Sequence, residues 1–207
     1  MVCGCLVPTV ILSCDSSCLV RLGATKVMCG IKAELVKPEA DSPKSGMVSV
    51  NFEFSSVSSS NQRSGPPTEK AQSISIFVNN ILKGILDLTE IGIKGEFLTR
   101  DGESPVPTVP ILEHSEDELA WSIFVDIYCL EDDGNTNDAA LLSTIKSLQN
   151  LELPTVEFAE TGNEKKVDTE KKKRAFEMNK IPISTTFGEF NGILLIDPTL
   201  KETDLGR

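Results

Sequence analysis

Residues 119–129, Leu-Ala-Trp-Ser-Ile-Phe-Val-Asp-Ile-Tyr-Cys, contain the clearest structural signal in the sequence. Every odd-numbered position in this stretch is apolar, which is the two-residue period of a β-strand that buries one face. The pattern stops at residues 131–134, Glu-Asp-Asp-Gly, whose composition is typical of a turn. The stretch therefore predicts a core strand that buries Trp121, Ile123 and Val125.

The residues before this strand alternate in the same way. Residues 26–35 place Val27, Cys29 and Ile31 on one face, and residues 48–54 alternate again. Residues 19–22 supply a preceding strand, and Gly23-Ala24 supplies a turn. We expect three antiparallel strands here.

Helical spacing appears in two places, from Ala71 to Leu88 and from Ala140 to Leu148. Thr68 and Glu69 suit the first turn of the earlier helix. Residues 181–190 and 193–196 predict a last pair of strands, joined at the hairpin dipeptide Asn191-Gly192. Strands interrupted by helices in this order predict an α+β fold, with mixed sheets of hairpin strands packed with two main helices.

Charge is distributed very unevenly along the chain. The 207 residues carry 20 Lys and Arg against 31 Asp and Glu, a formal charge of −11, with 40% hydrophobic residues. This composition excludes collagen-like, coiled-coil and wholly disordered proteins. Residues 101–138 contain eleven acids and no lysine or arginine, so the rest of the chain has no net formal charge and contact with nucleic acid is not excluded.

Two charged segments are predicted to lie outside the core. Residues 92–118 combine Gly102 and three prolines with an acid cluster, so we expect an exposed acidic insertion. Residues 161–174 are rich in lysine and predict a solvated basic loop. The apolar start of the chain, residues 1–12, is too short for a membrane span and lacks the basic region of a signal peptide. We therefore expect a soluble intracellular protein.

The cysteines do not predict a metal site. They crowd toward the N-terminus, which favours free thiols, although the pairs Cys3/Cys5 and Cys14/Cys18 leave a zinc site open. His114 is the chain's one histidine, and its place in the acidic insertion favours a solvated side chain over a catalytic one.

The sequence also gives little support for a magnesium site or a cofactor site. Glu131, Asp132 and Asp133 could bind Mg²⁺, but adjacent acids at a strand-turn-helix junction are more often turn formers and helix N-terminal charges. No nucleotide-binding motif is present, so no cofactor is predicted.

Four segments in register carry a resemblance. They are residues 19–34 (Leu-Val-Arg-Leu-Gly-Ala-Thr-Lys-Val-Met-Cys-Gly-Ile-Lys-Ala-Glu), residues 63–72, residues 125–140 and residues 196–199 (Ile-Asp-Pro-Thr). Together they resemble the RNase PH-like ring subunits of the eukaryotic RNA exosome, and the non-catalytic ones most strongly. The resemblance implies an RNase PH-like fold over residues 1–207, as one domain that is incomplete at both ends.

The resemblance also implies where catalytic groups would lie. Active members of the family cleave RNA with phosphate, which is held by a Gly-Thr-Arg triplet after an Asp-Gly turn. The aligned residues here are Asn135, Thr136 and Asn137, so the guanidinium that would hold phosphate is missing. A family pair of aspartates aligns with Asp197 and Thr199, so one carboxylate is missing as well. The resemblance therefore implies a protein that is not an enzyme.

The implied function is a structural and RNA-path subunit of the exosome ring, which supports RNA processing and decay by partner nucleases. Expected partners are other RNase PH-like ring subunits, RNA-binding cap proteins and single-stranded RNA in the channel, with no membrane. Arg63 is the candidate RNA contact, although an ordinary exposed arginine is an open alternative. The expected location is the nucleus, nucleolus and cytoplasm. Two rival functions are an active phosphate-dependent 3'-to-5' exoribonuclease and a stand-alone RNA-binding or regulatory module that uses residues 171–174.

Overall fold

A computed structural model describes residues 3–8, 13–36, 46–55, 68–86, 120–154, 157–161, 164–168, 173–176, 178 and 180–205. Arg63, His114 and the predicted acidic insertion at 92–118 lie outside these residues. The elements, in chain order, are β1 Cys3–Pro8, β2 Ser16–Leu22, β3 Thr25–Val36, β4 Met47–Phe54, α1 Glu69–Ile85, β5 Ala120–Glu131, α2 Thr136–Gln149, β6 Glu152–Pro154, β7 Glu157–Thr161, β8 Glu164–Asp168, β9 Lys173–Ala175, β10 Phe187–Phe190, β11 Ile193–Ile196 and α3 Leu200–Leu205.

The main sheet has five strands in the order β1-β2-β3-β5-β4. Strand β5 pairs antiparallel with β3 along its whole length, with Ile127 opposite Cys29 and Ile123 opposite Ala33. The predicted hairpin of β2 and β3 is confirmed, since Leu22 pairs with Thr25 across the turn at Gly23-Ala24.

One strand prediction is wrong in its direction. Strand β4 pairs parallel with β5 at the sheet edge, with Val50 opposite Val125, and is not a third antiparallel strand next to β3. Alternation shows that a strand buries one face, but it carries no information about the partner strand. The chain can reach the parallel register because α1 lies between β4 and β5 in the sequence.

Both long helices pack on the same face of the sheet. Helix α1 buries Ala71, Ile74, Val78 and Leu82, and its N-terminus is capped by Thr68, whose side chain accepts a 3.2 Å hydrogen bond from the Ala71 N–H. The sheet face beneath the helices is apolar and fully buried. It includes Val27, Cys29, Ile31, Phe52, Ile123, Val125, Ile127 and Cys129.

Helix α2 is buried on most of its surface, and polar contacts join it to the sheet. The Ser16 hydroxyl donates to the Ser147 carbonyl at 2.7 Å, and the Ser147 hydroxyl donates to the Cys29 carbonyl at 3.3 Å. These bonds give the buried hydroxyls of Ser16 and Ser147 hydrogen-bond partners.

Two buried cysteines, Cys29 and Cys129, belong to the packing of this core. Cys14, Cys18, Cys29 and Cys129 are free thiols, and the last three are buried. Burial raises the pKa of Cys29 to about 12 and that of Cys129 to about 12. A thiol that stays protonated is a poor nucleophile and a poor metal ligand, so these two side chains act as small apolar groups.

The C-terminal third differs from the sequence prediction in two places. The predicted basic loop at 161–174 contains strand β8, which pairs antiparallel with β7, and strand β9, which pairs with β6. The loop prediction is therefore wrong for Glu164–Asp168 and Lys173–Ala175. The many lysines of this segment favoured a loop. Residues 162–163, however, are Gly-Asn, a dipeptide favoured in the tight turns of hairpins.

The second difference concerns the last hairpin. Strands β10 and β11 pair as predicted around Asn191-Gly192, but β10 begins at Phe187 and residues 181–186 are not a strand. Thr186 bonds to other segments instead, as described below. Within the described residues, no helix combines the length and the apolar character needed to cross a membrane.

Candidate functional site at the strand-turn-helix junction

The candidate site lies where β5 ends and α2 begins. The turn between them requires two residues with positive φ, Gly134 at 99° and Asn135 at 49°. Glycine is needed at 134 because a Cβ there would lie 2.6 Å from the Leu200 nitrogen. The turn and the segment before α3 are therefore in direct backbone contact.

Thr25 holds this turn in place from the start of β3. Its hydroxyl donates to the Gly134 carbonyl at 2.7 Å and accepts from the Asp133 N–H at 2.9 Å. Thr25 is 1% exposed, so both bonds are shielded from water. Sequence reasoning missed Thr25, since a threonine at the start of a strand is ordinary and its partners are distant in the chain.

Asp132 is a structural acid of the junction. Its carboxylate accepts hydrogen bonds from the Lys70 ammonium at 2.7 Å, the Thr136 hydroxyl at 2.6 Å and the Gly134 N–H at 3.2 Å. Burial opposes the charged form, but the bonds from Lys70, Thr136 and Gly134 outweigh it and hold the pKa of Asp132 below its ordinary value. Lys70 also lies 5.1 Å from the centre of the Phe54 ring, so it joins α1, β4 and the turn.

The lowered pKa predicts how Asp132 contributes to stability at different pH values. A carboxylate whose pKa is lower in the folded state stabilises the fold above its unfolded pKa, and this contribution is lost as pH falls through the folded pKa. We expect Asp132→Asn to lower the free energy of unfolding by about 1–3 kcal/mol at pH 7. The difference from the unsubstituted chain should shrink below about pH 4.

Denaturant unfolding from pH 7 to pH 3 measures this difference. The matched control is Glu152→Gln, which changes an exposed carboxylate at the far end of α2. A stability difference for Asp132→Asn that stays constant across the whole pH range would contradict the assignment.

The structure brings a residue aligned with the family's phosphate-binding triplet into contact with a residue aligned with its pair of aspartates. The Asn135 side-chain amide donates to the Asp197 carboxylate at 2.5 Å, although the two residues are 62 positions apart. Asn135 precedes α2 but makes no side-chain cap of that helix. The bond ties the position aligned with the phosphate triplet to the position aligned with the acid pair.

Thr199, which aligns with the second aspartate of the family pair, caps a helix. Its N–H and hydroxyl donate to the Glu202 carboxylate at 2.8 Å and 2.9 Å, and the Glu202 N–H approaches the Thr199 hydroxyl at 3.4 Å. This is the reciprocal capping arrangement of a helix N-terminus, here that of α3. The Thr199 N–H is also the main reason that the pKa of Glu202 lies below its ordinary value.

The other two triplet positions differ in exposure. Thr136 is buried at 3% exposure, and its hydroxyl bonds to Asp132. Asn137 is exposed in the first turn of α2. An amide at this position offers neutral hydrogen bonds only, whereas an arginine would add a fixed charge and a bidentate donor.

A further acid in the first turn of α2 was missed by the sequence analysis. Asp138 is 8% exposed, and its carboxylate accepts from the Thr186 N–H at 2.9 Å and the Thr186 hydroxyl at 3.1 Å. A carboxylate here is stabilised by the positive end of the helix dipole. A helix N-terminus attracts anions, and at α2 the carboxylate of Asp138 already lies in that region.

The electrostatics of the site follow from these contacts. Asp132, Asp138 and Asp197 all accept hydrogen bonds within the junction, and the Lys70 ammonium contacts Asp132. Among the described residues, a phosphate ion brought to the N-terminus of α2 would approach the carboxylates of Asp132 and Asp138, and the Lys70 ammonium there is already bonded to Asp132. The arrangement is suited to joining α2 to the C-terminal segment and poorly suited to holding phosphate.

Metal binding has no support in this part of the chain. Among the residues that the structure describes, no three His, Cys, Asp or Glu side chains are grouped so that they could hold a metal ion. Asp132, one of the acids considered for Mg²⁺, already uses both carboxylate oxygens in hydrogen bonds.

Fold and junction together define an α+β protein with a five-stranded mixed sheet, two helices on one face and an Asp-Gly turn at the start of the second helix. The sequence model of the 3' exoribonuclease family, RNase PH domain 1, matches residues 7–154. The chain belongs to this family, and its fold is RNase PH-like.

Archaeal relatives support the same family. The protein named exosome complex component Rrp42 of Pyrococcus horikoshii is 31% identical over 188 residues, which are 91% of this chain and 61% of the relative. Its namesake in Methanopyrus kandleri is 32% identical over 196 residues, covering 93% and 64%. This chain thus spans less than two thirds of the length of either relative.

A solved structure has the same fold. A chain of the Archaeoglobus fulgidus exosome, solved with RNA bound to the active site, superimposes with a TM-score of 0.73 at 28% identity. The match covers 97% of this chain and 67% of that one. This likeness extends beyond residue 154 and therefore includes the C-terminal hairpin.

Proposed function

We propose that this chain is a non-catalytic structural and RNA-path subunit of an exosome ring, supporting 3'-to-5' RNA processing and decay by partner nucleases. The observation that carries the non-catalytic part is the junction at Asn135. Its amide bonds to Asp197, the arginine position holds an exposed Asn137, and Asp138 lies in the first turn of α2. The ring part rests on relatives named as exosome components.

Loss of the phosphate-binding charge has a large kinetic consequence. Removing one preorganised group that stabilises a transition-state charge typically costs about 3–4 kcal/mol, or roughly a hundredfold to a thousandfold in rate. Here the guanidinium is absent and one of the two acids is replaced by the helix cap Thr199. Both changes disfavour the rival function of a phosphate-dependent exoribonuclease.

We therefore expect no release of nucleoside diphosphates when the purified chain is incubated with single-stranded RNA and inorganic phosphate. Chromatographic detection of nucleoside diphosphates measures the reaction directly. The control is Asp197→Ala, which removes the aligned carboxylate and should leave the absence of product unchanged. Phosphate-dependent release that disappears in Asp197→Ala would establish the exoribonuclease and contradict the proposal.

Ring membership needs a separate test, because an inactive chain is not thereby a ring subunit. We propose other RNase PH-like ring subunits as its direct partners, with RNA-binding cap proteins and single-stranded RNA contacting the assembled ring. Coexpression with the ring subunits, followed by native mass measurement, should find this chain in one assembly with them. A chain that binds RNA but never enters such an assembly would favour the stand-alone RNA-binding module.

Arg63 is the proposed RNA contact in the channel, acting on the phosphate backbone without sequence preference. It lies in the loop sequence before α1 and outside the described residues. A ring with Arg63→Glu that protects single-stranded RNA as well as the unsubstituted ring would contradict this assignment.

The finer identity is also a proposal. The quoted motifs resemble most strongly the non-catalytic ring subunit known as exosome component eight, and the proposed locations are the nucleus, nucleolus and cytoplasm. Fluorescence imaging of the tagged full chain tests the locations, and exclusion from the nucleolus would contradict that part.

A further inference from the structure

A cavity of about 220 Å³ lies at the start of β5, at the opposite end of this strand from the junction. Among the described residues, its walls include Leu35 of β3, Trp121 of β5, and Leu153 and Pro154 of β6. Leu35 and Trp121 are partners across β3 and β5, so both side chains lie on the same face of the sheet. Trp121 is 8% exposed, so a small part of its side chain is accessible from the cavity.

Two carboxylates, those of Asp15 and Glu152, complete the lining of the cavity, and both residues are exposed. Asp15 is held in place by the Ala33 N–H, which donates to its Oδ2 atom at 2.8 Å. Within the described part of the chain, neither carboxylate forms an ion pair. Lys32 interacts electrostatically with Asp15, but its ammonium is bonded to Glu34. Both carboxylates are therefore available to a cation from outside.

The end of α2 strengthens the negative potential near Asp15. Ser16, the next residue, donates to the Ser147 carbonyl in the last turn of α2 at 2.7 Å, so the negative end of the helix dipole lies close by. The cavity thus combines apolar walls with a negatively charged rim. A ligand that carries a positive charge at the end of an apolar chain matches both features.

The size of the cavity indicates that one side chain is the ligand. A cavity of about 150 Å³ holds a benzene molecule, whereas sites for drug-sized ligands have about 300–1,000 Å³. A guanidinium is planar and weakly hydrated, packs against aromatic rings and donates to carboxylates in pairs, whereas an ammonium is strongly hydrated. A bare metal ion is a poor occupant, because no three possible ligands are grouped among the described residues.

We infer that this cavity is a docking site for an arginine side chain of a partner polypeptide. The guanidinium pairs with Asp15 and Glu152 at the rim, and the aliphatic stem contacts the apolar walls. One side chain in a small cavity supplies little affinity alone, so the partner must add contacts around it, as a polypeptide does. RNA is excluded as the occupant, because the rim carboxylates repel its phosphates. This inference does not depend on the proposed function, since no junction residue takes part.

The test uses Trp121 as the reporter, because it is the only tryptophan of the chain. Its indole N–H resonance in the NMR spectrum should shift when the full chain is titrated with the peptide acetyl-Gly-Arg-Gly-amide. The shift should saturate with a Kd of about 1–10 mM. The same peptide with citrulline, which has a similar shape but no charge, should show no saturation in this range. The lysine peptide should bind about threefold more weakly or worse.

Substitution of the two carboxylates tests their part in binding. Asp15→Asn and Glu152→Gln should each weaken binding of the arginine peptide about threefold, and the double variant about tenfold. Asparagine at position 15 can still accept from the Ala33 N–H. The matched control is Glu189→Gln, which changes an exposed carboxylate on β10 outside the cavity and should leave the Kd unchanged. Circular dichroism checks that all variants are folded, and about 0.5 M salt should weaken binding to the unsubstituted chain.

Four outcomes would overturn the inference. The first is a Trp121 resonance that does not respond to the arginine peptide, and the second is equal binding of the citrulline or the lysine peptide. The third is a Kd that the double variant Asp15→Asn/Glu152→Gln leaves unchanged. The fourth is micromolar binding of agmatine, a free small molecule with the same guanidinium, because the cavity would then belong to a small ligand and not to a partner polypeptide.

Discussion

Ile123→Asp is expected to leave the chain unfolded or insoluble. Ile123 is 0% exposed in the middle of β5, opposite Ala33 on one side and Val48 on the other. An unpaired carboxylate in this apolar core costs several kcal/mol, against a total stability of about 5–15 kcal/mol for a typical domain. Soluble yield and denaturant unfolding of the purified variant measure the effect.

The matched control is Tyr128→Asp, on the other face of the same strand. Tyr128 is 37% exposed, so a carboxylate there keeps its water and the variant should fold. Ser122 does not serve this purpose, because it is 0% exposed even though it lies on the opposite face from Ile123. Equal solubility and cooperativity of Ile123→Asp and Tyr128→Asp would mean that the assigned facing of β5 is wrong.

Gly134→Ala has the second large expected effect. Gly134 has a φ of 99°, and a Cβ there would lie 2.6 Å from the Leu200 nitrogen and 2.7 Å from the Thr199 carbonyl carbon. Backbone atoms cannot rotate away as a flexible side chain can, so strain and a forced shift add together. We expect a loss of about 3 kcal/mol or more in the free energy of unfolding.

Gly192→Ala provides the comparison, because Gly192 also has a positive φ of 77° but nothing lies within 4 Å of its Cβ position. This variant bears the backbone strain alone, about 1–2 kcal/mol. Thermal unfolding of both variants measures the difference. Losses of equal size would show that the Cβ clash at Gly134 is relieved without cost, so the 134–200 contact would not be tight.

Predictions from the sequence were most successful where a single segment contains the whole signal. The odd-numbered apolar positions of residues 119–129 identified the buried face of β5, and the Thr68 cap with its apolar repeat identified α1. They were least successful where the answer depends on a second segment. The parallel pairing of β4 with β5 is of this kind, because many strand orders bury the same faces.

The same contrast between single segments and pairs of distant segments holds for the residues of the candidate site. Resemblance identified positions 135–137, 197 and 199, but it did not reveal that Asn135 bonds to Asp197 or that Thr199 caps α3. Thr25 and Asp138 were missed because their partners Gly134 and Thr186 are 109 and 48 residues away. No local pattern marks such pairs.

By itself the sequence determined the class of fold, the main core strand, the two long helices and the absence of an arginine at position 137. Side-chain period, caps and residue identity are properties of one segment, so they can be read without coordinates. The tertiary structure alone decided the strand order, the parallel pairing of β4 with β5 and the bonding of Asn135 to Asp197. These depend on which distant segments the folded chain brings within hydrogen-bonding distance, and that choice is made by packing of the whole core.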